Sequence, residues 1–274
     1  MKLLEGKKGI VFGVLNNRSI AWGIAKDLYD NGAEFIMSYS SEAAEKRIKP
    51  LAEELNCDIV EKCDVTIDED VEHLFKVAEE KFGKLDFIVH AIAFSDKNEL
   101  RGRFSDTTRD NFKNTMDISC YSLITLAHHA APLMRKAGGG SILALSYFGA
   151  EKVVPNYNVM GVAKSALESS IRYLAADLGR DNIRVNGISS GPIKTLASAG
   201  IGGFSYMLKY NELNSPLRKN VTQEENGKLA SFLLSDNASS ITGEIVHLDA
   251  GFNIMGMKDP YSENIDIPSG ATIE

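Results

Sequence analysis

A tyrosine and a lysine seven residues apart, Tyr157 and Lys164, are the residues best suited to chemistry in this sequence. Seven residues make two helical turns, so the two side chains share a face if the segment is helical. A lysine there can hold ribose hydroxyls, and its charge favours a tyrosine that must stabilise developing negative charge. On an isolated helix such a pair is an ordinary surface feature; its place in the chain gives it weight. It follows an apolar run at 141–146 and precedes another at 184–189, which leads into Gly191-Pro192. A second candidate lies near the N-terminus, where GVLNNRSIAWG spans 13–23. Glycine at a strand-to-helix turn lets backbone approach a pyrophosphate, whose charge then meets the positive end of the helix. Only Gly13 and Gly23 fit a glycine-rich reading, and the spacing is stretched from GxGxxG.

These residues need a scaffold, and the pattern supplies one. Short apolar runs at 9–14, 34–39, 58–64, 85–92, 141–146, 184–189 and 244–248 are mostly continuous, as in strands covered on both faces. Segments with apolar spacing near 3.6 lie between them, at 19–31, 42–55, 68–82, 109–136, 157–178 and 222–234. Ser19, Asp68 and Thr222 stand where helix caps are expected, and Thr222 with Glu225 has capping-box spacing. Alternating strands and helices predict a single α/β domain over 1–257, a Rossmann-type doubly wound parallel sheet of about seven strands with helices on both faces. The polar stretch 258–274 is expected to be a flexible tail.

Two segments break the rhythm: a polar loop at 94–108, and a longer excursion at 191–216 that holds Phe204 and Met207. Both leave from the carboxyl edge of the sheet, where ligands sit in open parallel sheets, so both are candidate walls of a site. The usual ribose reader is an acidic residue ending the second strand. Here that strand ends Tyr39-Ser40-Ser41, followed by Glu42, which would repel a 2′-phosphate; Lys46 and Arg47 could attract one. NADH is favoured, with NADPH left open. Asp64, ending the third strand, either accepts from an adenine amino group or holds a turn ahead of the next helix.

Composition narrows the class. With 274 residues the chain can bury a full core without staples. Three scattered cysteines form no CxxC pair and no zinc spacing, so free thiols and no metal are expected. No stretch reaches the ~20 apolar residues of a membrane span, and the N-terminus runs straight into a strand. A net charge of -7 argues against nucleic acid as partner. A cytoplasmic protein is expected. His128 and His129 have no partner motif and read as packing or interface residues.

The stretches GVLNNRSIAWGIA, HAIAF, SYFGAEKVVPNYNVMGVAKSALE, IRVNGISSGPIKTLA and GEIVHLDAGF resemble the bacterial NADH-dependent enoyl-acyl-carrier-protein reductases, a divergent branch of the short-chain dehydrogenase/reductases. The resemblance covers roughly 4–257. Its most specific element is YNVMGVAK. Ordinary superfamily members use Tyr-xxx-Lys, whereas position 161 here is Gly and the lysine arrives at 164. They also carry a serine about thirteen residues before the tyrosine, where this chain has Ala144, and the enoyl-reductase branch has a second tyrosine, matched by Tyr147.

The resemblance implies hydride transfer from NADH to the β-carbon of a trans-2-enoyl thioester on acyl carrier protein. Tyr157 would stabilise the enolate, Lys164 would fix the cofactor ribose, and Tyr147 would position substrate or supply a proton. Gly13, Ser19, Ile20, Ser40, Asp64, Val65, Ile92, Ile193, Lys194, Thr195, Leu196 and Ala197 would contact the cofactor. Ser95, Met160, Phe204 and Met207 would border the acyl site. A homotetramer is implied as well. Basic residues often found in the loop after the sixth strand are missing from GIGGFSYML, with Lys209 the nearest. Two other readings stand beside this one: a 3-ketoacyl or other carbonyl reductase on the same fold, and a cofactor-binding regulatory protein without catalysis.

Overall fold

Seven parallel strands form one sheet in the order β3-β2-β1-β4-β5-β6-β7. The computed structural model describes residues 2–196 and 198–257. The strands are β1 (Lys8–Phe12), β2 (Glu34–Tyr39), β3 (Val60–Lys62), β4 (Phe87–His90), β5 (Gly140–Ser146), β6 (Ile183–Ser190) and β7 (Ile245–Leu248). All seven expected strands are present, the third much shortened. The apolar runs are continuous because β1, β4 and β5 are buried on both faces: Ile10, Phe12, Ile88 and Ile142 enter one apolar layer, and Val11, Val89 and Leu143 the other. The order reverses between β1 and β4, so the chain leaving β1 and the chain leaving β4 cross to opposite sides of the sheet, and ligands of such sheets bind at that switch point.

The helices are α1 (Ile20–Asp30), α2 (Glu42–Glu54), α3 (Asp68–Phe82), α4 (Arg109–Met116), α5 (Ser122–Lys136), α6 (Asn158–Leu178), α7 (Phe204–Asn214) and α8 (Gln223–Leu234). Ser19 caps α1 and Thr222 caps α8 with both bonds of a capping box. Asp68 does not cap α3; it is the first helical residue, and Ile67 occupies the cap without a side-chain bond. Asp68, Glu69 and Asp70 instead put negative charge on the first turn, where the helix dipole favours it.

Two expectations are corrected. The helix expected over 109–136 is interrupted by a π-helical segment, Asp117–Tyr121, whose widened turn joins α4 to α5. There Ser122 Oγ donates to Ile118 O at 2.6 Å and meets the ring of buried His90 at 2.7 Å. The excursion at 191–216 contains a helix, α7, which starts at Gly203 in the left-handed region, φ 74°. Ala197 and the tail 258–274 lie outside the described residues. The expected packing role of His129 holds: its ring stacks on Phe75 at 5.7 Å.

Candidate active site

The turn after β1 can only be glycine. Gly13 has φ +92°, and a Cβ there would lie 2.1 Å from Ala91 O, just beyond β4. The two strands thus approach at the switch point with no side chain between their backbones. Ser19 follows, its Oγ donating to Asn16 O at 2.8 Å and accepting from Trp22 N at 3.3 Å. Ile20 opens α1, so the helix N-terminus faces the bare turn. Gly23 has a different role from the glycine of a nucleotide loop. Its missing Cβ would meet Gln223 O at 2.5 Å, and that of Gly227 would meet Gly23 O at 2.5 Å, so the pair lets α1 and α8 touch.

The remaining cofactor candidates follow the same edge of the sheet. Ser40 is exposed beyond β2, Val65 packs on the core, and Ile92 is half-buried beyond β4. Asp64 Oδ1 accepts from both the N and the Oγ1 of Thr66, at 3.0 and 2.8 Å, so its carboxylate holds the turn ahead of α3. Ile193 and Thr195 are half-buried, and Lys194 and Leu196 are exposed. Thr195 and Ser198 exchange reciprocal bonds of 2.9 and 3.1 Å.

The strand end of β5 and the face of α6 build the centre. Lys164 is buried, and its Nζ donates to Leu145 O at 2.6 Å. Tyr157, at the cap of α6, lies edge-on to Tyr147 with ring centroids 4.9 Å apart. A Cβ on Gly149 would meet the Tyr157 ring at 2.4 Å, so this glycine leaves room for the phenol. One on Gly161 would lie 2.9 Å from Gly149 O. The position four residues after the tyrosine therefore faces backbone, and a lysine there would have no path. Met160 joins Tyr157, Leu100 and Ala163 in an apolar cluster flanked by Tyr147, Met116, Val154 and Ile201.

Two asparagines unsuspected in the sequence hold the walls. Asn156 and Asn158 both adopt positive φ, 65° and 43°, a region Asn tolerates better than most residues. Asn156 Nδ2 donates to Gly202 O at 3.1 Å, and Asn158 Nδ2 donates to Glu99 O at 2.9 Å. Tyr157 is thereby tied on either side to the two long loops. Ser95 is buried in a polar network, accepting from Thr115 Oγ1 at 3.0 Å and Asn111 Nδ2 at 3.2 Å, so its hydroxyl braces the 94–108 wall. Phe204 and Met207 are half-buried on α7. Among the described residues, the excursion's contribution to the Tyr157 cluster is Ile201.

Burial dominates the electrostatics. It pushes the Tyr157 phenol far above its ordinary range, with Tyr147 adding to the effect, and pushes Tyr147 up to about 12. Tyr157 is thus a neutral hydrogen-bond donor at any working pH. Burial also lowers Lys164 to about 8, opposed chiefly by Glu168. His90 is lowered to about 3 by burial and by the Lys164 charge, so it is a neutral imidazole. Its Nδ1 is buried without a partner among the described residues.

These residues fit a dinucleotide. The bare-backbone cradle at Gly13 and the capped N-terminus of α1 suit a pyrophosphate, and Lys164 presents a buried ammonium two turns along α6 from the Tyr157 phenol. Such a sheet, carrying such a pair beyond β5, defines a short-chain dehydrogenase/reductase. The family model described as "Enoyl-(Acyl carrier protein) reductase" matches residues 13–253, and the chain belongs to that family. It is 56% identical to enoyl-acyl-carrier-protein reductase (NADH) 1 of Rhizobium meliloti, over 97% of each chain. The crystal structure of the reductase of Anaplasma phagocytophilum in complex with NAD is 56% identical, with TM-score 0.90, over 94% of this chain and 97% of that one. The Bacillus cereus enoyl-acyl carrier protein reductase with NADP+ and indole naphthyridinone is 47% identical, with TM-score 0.91, over 94% of this chain and 100% of that one.

Proposed function

We propose that this chain reduces the 2,3 double bond of trans-2-enoyl thioesters carried on acyl carrier protein, using NADH, as the last reductive step of fatty-acid elongation. The observation that carries this is the Tyr157–Tyr147 ring pair on the strand end and helix that also hold buried Lys164 through Leu145 O, with Gly161 wedged under Gly149. NADH supplies the hydride that reaches the substrate β-carbon. Negative charge then develops on the thioester oxygen, where the neutral Tyr157 hydroxyl donates and stabilises it. Lys164 would hold the cofactor ribose, with Leu145 O fixing the direction of its Nζ. Tyr147 would limit how the thioester lies against Tyr157 or relay the proton, drawn ultimately from solvent, that the enolate takes up at its α-carbon to complete the reduction.

A carbonyl reductase would place a serine at position 144. Here Ala144 lies wholly inside the sheet, which favours the enoyl substrate. Gly13, Ser19, Ile20, Ser40, Val65, Ile92 and the 193–197 segment are proposed cofactor contacts, with Asp64 acting through its turn. Met160, Phe204 and Met207 are proposed to border the acyl tail, with Ser95 acting behind them.

Among the described residues no helix is long and apolar enough to cross a membrane, and a cytoplasmic homotetramer is the reading adopted. Exposed Phe112, Tyr121, Ile124 and Tyr173 on or between α4, α5 and α6 support such pairing. Sedimentation giving a stable monomer at micromolar concentration would refute the tetramer. Activity is tested with crotonyl thioester and with a 3-ketoacyl thioester, each supplied with NADH and NADPH in parallel. Rapid oxidation of NADH with the crotonyl substrate alone is expected; turnover of the ketone alone would overturn the assignment.

A further inference from the structure

Glu168 stands four residues beyond Lys164 on α6, one turn along the same face, and both are nearly wholly buried, with 6% and 5% of their surface exposed. The end of β5 addresses them in turn. Leu145 O accepts from Lys164 Nζ at 2.6 Å, and Ser146 Oγ donates to Glu168 Oε1 at 2.5 Å. The next residue, Tyr147, packs its ring on Tyr157. Three consecutive residues thus hold three members of one helical face. We propose that Glu168 is a positioning residue for the reduction: its buried carboxylate keeps Lys164 in the ammonium form and aimed at the cofactor ribose. This rests on the functional reading above.

Hydrogen bonding alone does not explain a carboxylate here. The amide oxygen of a glutamine would accept from Ser146 equally well, and a buried charge is expensive unless another charge answers it. The groups facing Lys164 leave Glu168 as the chief candidate. His90 from β4 is neutral, Tyr147 and Tyr157 are protonated, and Cys120 from the π-helical segment adds only a lesser influence. The surroundings of Glu168 are mixed. Glu151 opposes its ionisation, while Arg172 from α6 and His247 from β7 favour it, with His247 Nε2 itself 2.5 Å from Glu151 Oε1. Burial raises Glu168 above the usual carboxylate range, and the Ser146 hydroxyl counters that shift.

The test is the affinity for NADH, read by fluorescence titration from pH 6 to pH 9 in wild type, Glu168→Gln and Glu168→Asp. Lys164 loses its proton near 8 in the wild type, so its contribution to binding is present below that pH and lost above it. Removing a nearby opposite charge moves such a limb down by about one unit. The glutamine variant should match wild type at pH 6 and bind about fivefold more weakly at pH 8. The aspartate variant should keep the wild-type limb. Superimposed limbs for wild type and Glu168→Gln would overturn the proposal, as would an aspartate limb shifted as far as the glutamine one. Should Glu168→Gln fail to fold, Ser146→Ala, which frees the carboxylate, should shift the limb the same way by less, and an unchanged limb there is equally fatal. The titration needs no acyl substrate. A wild-type chain that binds NADH yet leaves crotonyl thioester unreduced refutes the functional reading and leaves the Glu168 result standing.

Discussion

Replacing Tyr157 by phenylalanine isolates one atom from a packed ring. The ring is held edge-on to Tyr147 at 4.9 Å and lies against Gly149 and Gly161. Phenylalanine keeps all of that area, so folding stability should change by less than about 1 kcal/mol. What is lost is a donor at the point where negative charge forms. Because burial holds the phenol protonated, wild type offers this bond at every assay pH. The loss should therefore be independent of pH between 6 and 9. Removing one donor of this kind typically costs about 100- to 1000-fold in kcat, or roughly 3–4 kcal/mol of transition-state stabilisation. Lys164 and the Gly13 cradle are untouched, so NADH affinity should stay within about twofold, since the bond acts on the transition state alone. Steady-state kinetics with crotonyl thioester, together with NADH titration and a thermal melt, measure all three quantities. A kcat equal to wild type would refute the role, and so would a fall in NADH affinity as large as the fall in kcat.

Gly161→Ala should destabilise the protein by about 1–3 kcal/mol and reduce kcat, although alanine ordinarily favours a helix, because its Cβ would meet Gly149 O at 2.9 Å; a raised melting temperature with full activity would contradict this. His90 has its imidazole lowered from 6.5 to about 3 by burial. The unfolded chain therefore binds the extra proton between those values, and stability present above about pH 6.5 is lost as pH falls towards 3. His90→Asn should flatten this part of the acid-denaturation curve by on the order of a few kcal/mol, and an unchanged curve would show that other groups set the acid limit. Amide exchange over 193–203 should slow on adding NADH and slow again with NAD plus a planar inhibitor stacked on the nicotinamide, while the 208–214 end of α7 is already protected by buried Asn211 and Asn214. Slow exchange over 193–203 without ligand would make the segment a fixed wall.

The sheet was legible because a strand buried on both faces leaves a continuous apolar run, as Ile10-Val11-Phe12 and Ile88-Val89 do. Helices were legible where one face alone is buried. The interruption at Asp117–Tyr121 was not, because it depends on Ser122 bonding back to Ile118 O and on buried His90, groups 32 residues apart in sequence. Helix α7 was hidden by the glycines before it and by a weak division into apolar and polar faces. In the site, Tyr157 and Lys164 announced themselves by their spacing on one helix. Ser146, Glu168 and the two asparagines did not, since their roles exist only once the end of β5 and both loops are brought against α6. The Gly23 reading erred for a related reason: from sequence, glycine for a ligand and glycine for a neighbouring helix look alike.

The tethers at Asn156 and Asn158 carry an evolutionary consequence. Both amides donate to main-chain carbonyls, of Gly202 and Glu99, and neither reads the side chain at its anchor point. The walls can therefore exchange side chains while Tyr157 stays put, except at Leu100 and Ile201, which pack in its cluster, and at Gly202, where a Cβ would come within 3.2 Å of the Asn156 amide. At the other positions of 94–108 and 198–216, outside these and the Ser95 network, acyl-tail preference can drift by point substitution without the catalytic centre having to be rebuilt. Insertions or deletions that slide a carbonyl out of reach are a different matter, for they would release the tyrosine itself. Diversity in these loops should accordingly accumulate as changes of residue type, with chain length held constant around positions 99 and 202.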